Sequence, residues 1–129
     1  MKYPVYIVLM FLLSFTLPSC EDEVVVEDMS CSLQTIQHDI DSDTIVVTYK
    51  IEGEGKYKVS SWTYQGVEGE VTLQDPVIPS EVTLNFFGNA LPRVKAVVTV
   101  VEGAVKVSFS AEAADSTYVG IDQCQQQIN

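Results

Sequence analysis

The chain has 129 residues, of which 18 are acidic and 7 are basic, so its formal net charge is −11. This length suffices for one domain with one hydrophobic core. An acidic surface repels phosphate backbones, so we expect no nucleic-acid partner.

The amino-terminal segment has the pattern of a secretory signal peptide. Lys2 supplies positive charge, residues 5–17 are almost wholly apolar, and small residues precede Cys20. This run of about 13 residues is shorter than the roughly 20 that a membrane-spanning helix needs. The pattern predicts a signal peptide over residues 1–19. Its removal leaves 6 basic and 18 acidic residues, a net charge of −12.

The end of this segment, Leu17-Pro18-Ser19-Cys20, resembles the lipobox of bacterial lipoproteins. An apolar residue lies three positions before the cysteine, and a small residue directly precedes it. The resemblance implies a diacylglyceryl thioether on the Cys20 sulfur, cleavage before Cys20 and acylation of the new amino terminus. Two or three acyl chains hold a protein stably in a membrane. The alternative is ordinary cleavage that leaves Cys20 as a free thiol.

Residues 20–30 are predicted to be a lipidated acidic tether. Residues 21–30 contain five acidic side chains and the apolar run Val24-Val25-Val26, and fully extended they span about 33 Å. The acids directly after Cys20 resemble the export signal of surface lipoproteins of Bacteroidetes-type bacteria, which implies an outer-membrane, surface-exposed location. The alternative is a solvated spacer.

The first strand pattern begins at Thr44, where apolar residues alternate from 45 to 51 and glycines at 53 and 55 are expected to end the strand. A second strand is predicted over residues 57–65. Its apolar phase changes at Ser60-Ser61, which indicates a β-bulge. Val71 and Leu73 predict a short strand. The following segment, 75–79, contains two prolines and cannot be a central strand.

Alternation returns at residues 82–86, and the clearest pattern follows at residues 94–100 and 105–111. Glu102-Gly103 separates these two runs, so we expect a long hairpin with its turn at the glycine. The whole pattern predicts an all-β antiparallel sandwich of about seven strands over residues 31–129.

The order of three segments resembles the pattern of the small mycobacterial membrane protein (MmpS-like) family. These segments are Tyr49 to Gly53, the strand at 57–66 and the final hairpin. The resemblance covers about residues 44–121 and implies an Ig-like sandwich. The Pro-Trp pair expected after the middle strand is absent, and Pro79-Ser80 stands there instead.

Cys31 and Cys124 remain once Cys20 is assigned to the lipid, and an exported protein meets an oxidising compartment. A disulfide between them would enclose nearly the whole domain, which stabilises by about 4 kcal/mol in the chain-entropy model. We expect both cysteines outside the main block of strands. The alternative is two separate thiols.

Few residues suggest a catalytic, metal-binding or ligand-binding role. His38 is the only histidine, so we predict no catalytic residues, no metal site and no cofactor, and hence no enzyme. The alternating Asp39, Asp41 and Asp43 suit a turn better than a calcium loop. Trp62 and Tyr64 are the possible ligand-facing aromatics, with a core position as the alternative.

We therefore expect a lipid-anchored cell-envelope protein whose domain is a non-catalytic binding or interaction module at the outer membrane. An envelope protein or a glycan is the expected partner besides the membrane that holds the anchor. The alternative is a structural subunit of a surface fibre or an accessory of a transport complex.

Overall fold

A computed structural model describes residues 28–126. Over this range the chain forms antiparallel strands and no helix, which confirms the all-β prediction. The described residues therefore contain no helix that could cross a membrane. The strands are β1 (Met29–Gln34), β2 (Ile40–Gly66), β3 (Gly69–Gln74), β4 (Ser80–Ala90), β5 (Val94–Glu112) and β6 (Thr117–Gln126).

Two long strands, β2 and β5, run through both layers of the fold. The first half of β2 pairs with β4 and with the second half of β5, which in turn pairs with β6. The second half of β2 pairs with β3 and with the first half of β5, which pairs with β1. The strand orders are therefore β4-β2-β5-β6 in one layer and β3-β2-β5-β1 in the other.

The two layers pack face to face as a β-sandwich. Tyr49 of the first layer donates its hydroxyl hydrogen to the carbonyl oxygen of Gln65 in the second, at 2.8 Å. The ring centroids of Tyr49 and Tyr64 lie 5.2 Å apart across the same interface. Because both layers belong to one continuous six-stranded sheet, the Ig-like assignment stays a prediction.

A pair of glycines lies where β2 and β5 pass from one layer to the other. Gly55 and Gly103 are register partners, and their φ angles are +86° and +99°. A Cβ on Gly55 would lie 2.2 Å from the carbonyl oxygen of Glu102, and one on Gly103 would lie 2.1 Å from that of Glu54. Only glycine permits both this backbone conformation and this close approach.

Two predictions drawn from the glycines are wrong. β2 continues through Gly53 and Gly55 instead of ending there, and β5 continues through Glu102-Gly103 without a hairpin turn. The two halves of β5 pair with β2, in different layers, and not with each other. A glycine that allows a hairpin turn also allows a bend within a continuous strand. Which of the two forms depends on the strand that pairs with it, and that strand is remote in sequence. The six predicted segments thus form four strands, β2 to β5, and the unpredicted β1 and β6 bring the total to six where about seven were expected.

The period-2 patterns and the bulge are confirmed. Register shifts between Val59 and Ser61, as the change of phase indicated, and this shift turns Trp62 toward the interior. The alternating apolar residues of the runs 45–51, 94–100 and 105–111 are all buried, with 2% or less of their surface exposed: Ile45, Val47, Tyr49, Ile51, Val94, Ala96, Val98, Val100, Val105, Val107, Phe109 and Ala111.

One side of the sandwich is closed by a covalent bond. Cys31 of β1 and Cys124 of β6 form the expected disulfide, with their Cα atoms 6.1 Å apart. The backbone N–H of Gln34 in β1 also donates to the Asp122 carboxylate of β6, at 2.9 Å. We call this side the closed seam. Both cysteines lie inside strands, which corrects the expectation that they flank the strand block.

The register of β5 predicts unequal costs for two neighbouring substitutions. Val98 has no exposed surface, whereas the adjacent Val97 is 48% exposed. Val98→Asp buries an unpaired carboxylate and should lower the free energy of unfolding by about 3 kcal/mol or more. Val97→Asp should cost less than about 1 kcal/mol. Urea denaturation of the two variants measures both; equal costs would contradict the register.

The glycine pair predicts a second contrast. Gly55→Ala and Gly103→Ala combine an unfavourable φ with a backbone clash, and each should lower the free energy of unfolding by several kcal/mol. Gly88 is the matched control, because its φ is +88° but no atom lies within 4 Å of the position of an added Cβ. Gly88→Ala should therefore cost only the backbone strain, about 1 to 2 kcal/mol. Comparable losses in all three variants would show that the close approach is unimportant.

The disulfide closes a loop with a sequence separation of 93 residues. Its loss should lower the free energy of unfolding by about 4 to 5 kcal/mol in the chain-entropy model, with an unchanged strand content. Thermal melting and far-ultraviolet circular dichroism of a Cys31→Ser/Cys124→Ser variant measure the two effects. Mass spectrometry of an unreduced digest of the native protein should show one linked peptide pair; two freely alkylated cysteines would refute the bond.

Candidate open-seam binding site

The side opposite the disulfide lies between β3 and β4, and we call it the open seam. Each of these strands pairs only with β2. Within residues 28–126, no backbone hydrogen bond joins β3 to β4. Both strands thus present a free backbone edge, and the two edges belong to opposite layers.

Apolar side chains of the interior reach the surface along this seam. Val71 and Leu73 of β3 pair with Tyr64 and Trp62 of β2, so their side chains lie on the core face of the layer. They are nevertheless 36% and 39% exposed. Opposite them, the core-facing side chain of Leu84 on β4 is only half-buried. No strand of the described range covers these side chains on the outer side of the seam.

The seam contains a hollow of about 360 Å³ beside the β2–β3 turn. Its lining includes the Tyr64 ring, the turn residues 66–69, and the side chains of Val71 and Leu84. The Tyr64 ring centroid lies 5.3 Å from that of Trp62. The hollow therefore rests on an aromatic cluster that belongs to the core.

Tyr49 packs against this cluster from the first layer. Its ring is completely buried, and its hydroxyl hydrogen bond to Gln65 joins the two layers. Burial raises the pKa of the Tyr49 phenol well above its usual value of 10.0, so the hydroxyl keeps its proton and remains a donor. The floor of the hollow is thus neutral and held by packing and one cross-layer hydrogen bond.

The two predicted ligand-facing aromatics have different positions. Trp62 has no exposed surface, so its prediction as a ligand-facing residue is wrong and the alternative, a core position, is correct. Its indole N–H has no hydrogen-bond acceptor among residues 28–126. Tyr64 is half-buried and borders the hollow. Of the two, only Tyr64 can touch a bound molecule.

The seam carries charges of both signs. From residue 67 to residue 92, which includes β3 and β4, the chain has four acids and no lysine, arginine or histidine. Glu70 is neutralised, because Lys95 Nζ and Arg93 Nη2 each lie 3.1 Å from its carboxylate and lower its pKa. Glu81 also has a basic neighbour, because Lys50 Nζ lies 3.8 Å from its carboxylate. Glu68 and Asp75 have no ion-pair partner within the described part of the chain.

His38 lies in the β1–β2 loop and packs on aromatic rings. Its ring centroid is 5.4 Å from that of Tyr118 and 6.0 Å from that of Phe109. In residues 28–126 no group of three histidines, cysteines or acids is placed to hold a metal ion.

The aspartates near His38 are held by an amide. Asn89 Nδ2 donates to Asp39 at 2.8 Å and to Asp41 at 2.9 Å. The turn predicted at Asp41-Ser42-Asp43 is wrong, since β2 already begins at Ile40 and carries a register shift between Ser42 and Ile45. The polar side chains that suggested a turn lie in an irregular, solvated part of a strand.

The predicted lipidation residue, Cys20, lies outside the described residues, together with the predicted signal peptide and most of the predicted tether. β1 begins at Met29, two residues before the predicted start of the domain. The anchor therefore stays a prediction, but the point at which the chain enters the domain is known.

No family model, curated protein or solved structure matches this chain. The open seam is therefore identified from its geometry. The sequence carries no signal for it, because β3 and β4 come together only in three dimensions, through their separate pairing with β2.

Proposed function

We propose that this protein is a lipid-anchored cell-envelope binding module, held by Cys20 at the outer membrane, that binds a partner non-catalytically along the open seam. The observation that carries the proposal is the uncovered edge of the core. Val71, Leu73 and the hollow beside Tyr64 combine apolar surface with two free strand edges.

An uncovered seam is a hazard that proteins normally remove. Free strand edges and adjacent apolar side chains favour unwanted association. In this fold the opposite seam is closed by the Cys31–Cys124 disulfide and by the Asp122 carboxylate. The difference between the two seams is explained if the open one is covered by a partner.

The position of the seam relative to the chain entry supports a role at the envelope. Met29 is the register partner of Val100, which pairs with Tyr57 next to the bend. The hollow lies at Gly66, nine strand residues farther along β2, or about 30 Å away. The chain therefore enters the domain at the end opposite the hollow. The disulfide supports export, because such bonds persist in oxidising compartments.

The anchor is tested by Cys20→Ala. The substitution removes the thiol that accepts the diacylglyceryl group, so labelling with a radioactive fatty acid should disappear. The protein should also shift from the membrane fraction to the soluble fraction or retain its signal peptide. Cys31→Ser/Cys124→Ser is the control, because it removes the other two cysteines and should label like the wild type. Equal labelling of Cys20→Ala and wild type would contradict the anchor.

The alternative of a fibre subunit would use the same free edges between copies of this chain. The two acids on these edges are both paired with bases, Glu70 with Arg93 and Lys95, and Glu81 with Lys50. Like charge therefore does not oppose contact between copies, and a fibre subunit stays the alternative.

A further inference from the structure

We infer that the bend end of the domain rests on the lipid interface of the membrane that holds the anchor, with Val77 in contact with lipid. The bend end is the end at which β2 and β5 pass between the layers, at Gly55 and Gly103. The inference rests on the lipid anchor proposed at Cys20. It follows from where the chain enters the domain, how far residues 21–28 can reach, and which side chains are exposed at this end.

The chain enters the domain beside the bend. Met29 is the first residue of β1 and is 41% exposed, and its register partner Val100 pairs with Tyr57 of β2. Met29 follows Cys20 by nine residues, which span at most about 30 Å when fully extended. A lipid on Cys20 therefore keeps the bend end close to the membrane surface.

An apolar side chain projects from the surface at this end. The connection between β3 and β4, residues 75–79, crosses from one layer to the other and lies against residues 55–59 of β2. Val77 is in the middle of this connection and is 79% exposed, more than any other large apolar residue of the described range. Pro76 and Pro79 fix the φ angles on either side of it, so the connection is stiff. Val77 can therefore meet a lipid interface with little loss of conformational entropy.

Charges of both signs lie near this connection, so charge does not select the lipid. Lys56, Lys58 and Asp75 line the same groove, and Glu102 is the register partner of Lys56. None of these four side chains forms an ion pair within residues 28–126. Lysine stems can lie along an apolar interface while their ammonium groups stay in water. Contact is therefore expected with neutral phospholipid and should not require anionic lipid.

The anchor makes a weak contact sufficient. With Cys20 held in the bilayer, contact between the domain and the lipid is an intramolecular event. A short flexible linker gives such an event an effective concentration of about the millimolar range. One exposed valine would give little affinity from solution, but the tethered domain can populate the same contact.

The opposite end also exposes apolar side chains, but it lies farther from the anchor. Ile36 is 75% exposed and Val67 is 61% exposed. Val67 lies in the β2–β3 turn, which is about 30 Å along β2 from the chain entry. To bring this end to the membrane, residues 21–28 would have to extend fully alongside the domain and lose their conformational entropy. The bend end needs no such extension, and its contact with lipid leaves the open-seam hollow away from the membrane.

The contact is measured on the full chain, purified from the membrane fraction of expressing bacteria. The protein is reconstituted in phosphatidylcholine vesicles that carry a nitroxide on a shallow acyl carbon. Val77→Cys and the matched control Val67→Cys are labelled with the thiol-reactive fluorophore NBD. The disulfide and the lipid thioether leave the introduced cysteine as the only free thiol. The nitroxide should quench the probe at residue 77 at least about twice as strongly as the probe at residue 67, because interfacial side chains reach the upper acyl carbons.

A second pair of variants tests whether Val77 makes the contact. The reporter is NBD on Lys58→Cys, in the groove beside the connection. Val77→Asp should reduce the quenching of this reporter by about half or more, because a carboxylate is costly to bring into lipid. Val67→Asp is the matched control and should leave the quenching unchanged. Both valines are exposed, so neither substitution should unfold the domain. Equal quenching in the two variants would overturn the inference.

The remaining outcomes of the first experiment are equally decisive. Stronger quenching at residue 67 would mean that the opposite end contacts the lipid. Equal quenching at both residues, or none at either, would mean that the domain has no preferred orientation. Each of these results overturns the inference. Failure of the anchor gives a different result, because the unsubstituted protein would then take up NBD on Cys20 and would not float with the vesicles in a density gradient.

Discussion

The close approach of two backbones at Gly55 and Gly103 is the constraint on which the architecture depends. Because neither residue has a Cβ, β2 and β5 stay paired while both pass from one layer to the other. The same ladder of hydrogen bonds therefore organises both layers. The interior side chains on either side of the bend, such as Tyr49 and Trp62, meet because these two strands bend together.

The bend leaves the sandwich with two unlike sides. β1 and β6 flank β5 and are joined through Cys31 and Cys124, whereas β3 and β4 flank β2 and share no backbone hydrogen bond within the described range. Stability can therefore come from the closed side and the core, while the other side keeps its edges available. The proposed binding role depends on this asymmetry more than on any single side chain.

The sequence predicts the centre of the fold better than its rim. Alternating residues marked the central strands, and the phase change at Ser60-Ser61 marked the bulge. β1 escaped prediction although Met29, Cys31 and Leu33 alternate on its core face, because its first residues fall in the predicted tether. β6 escaped prediction because its core-facing positions are not regularly apolar. In β6 one such position is Gly120, where a Cβ would lie 2.3 Å from the Phe109 ring, and the next is Asp122, which bonds β1. The open seam joins β3 and β4 only in three dimensions, so its apolar lining was invisible as a pattern.

The position of the disulfide has a mechanical consequence. Cys31 is the third residue of β1, and Cys124 is the eighth of the ten residues of β6. Tension applied between Met29 and Gln126 can draw out only the two residues that lie beyond each cysteine. The rest of the domain is a covalently closed loop that carries no load while the bond is intact. Force applied at the two ends of such a chain would not unfold the domain. The glycine bend and the open seam would keep their structure under that force.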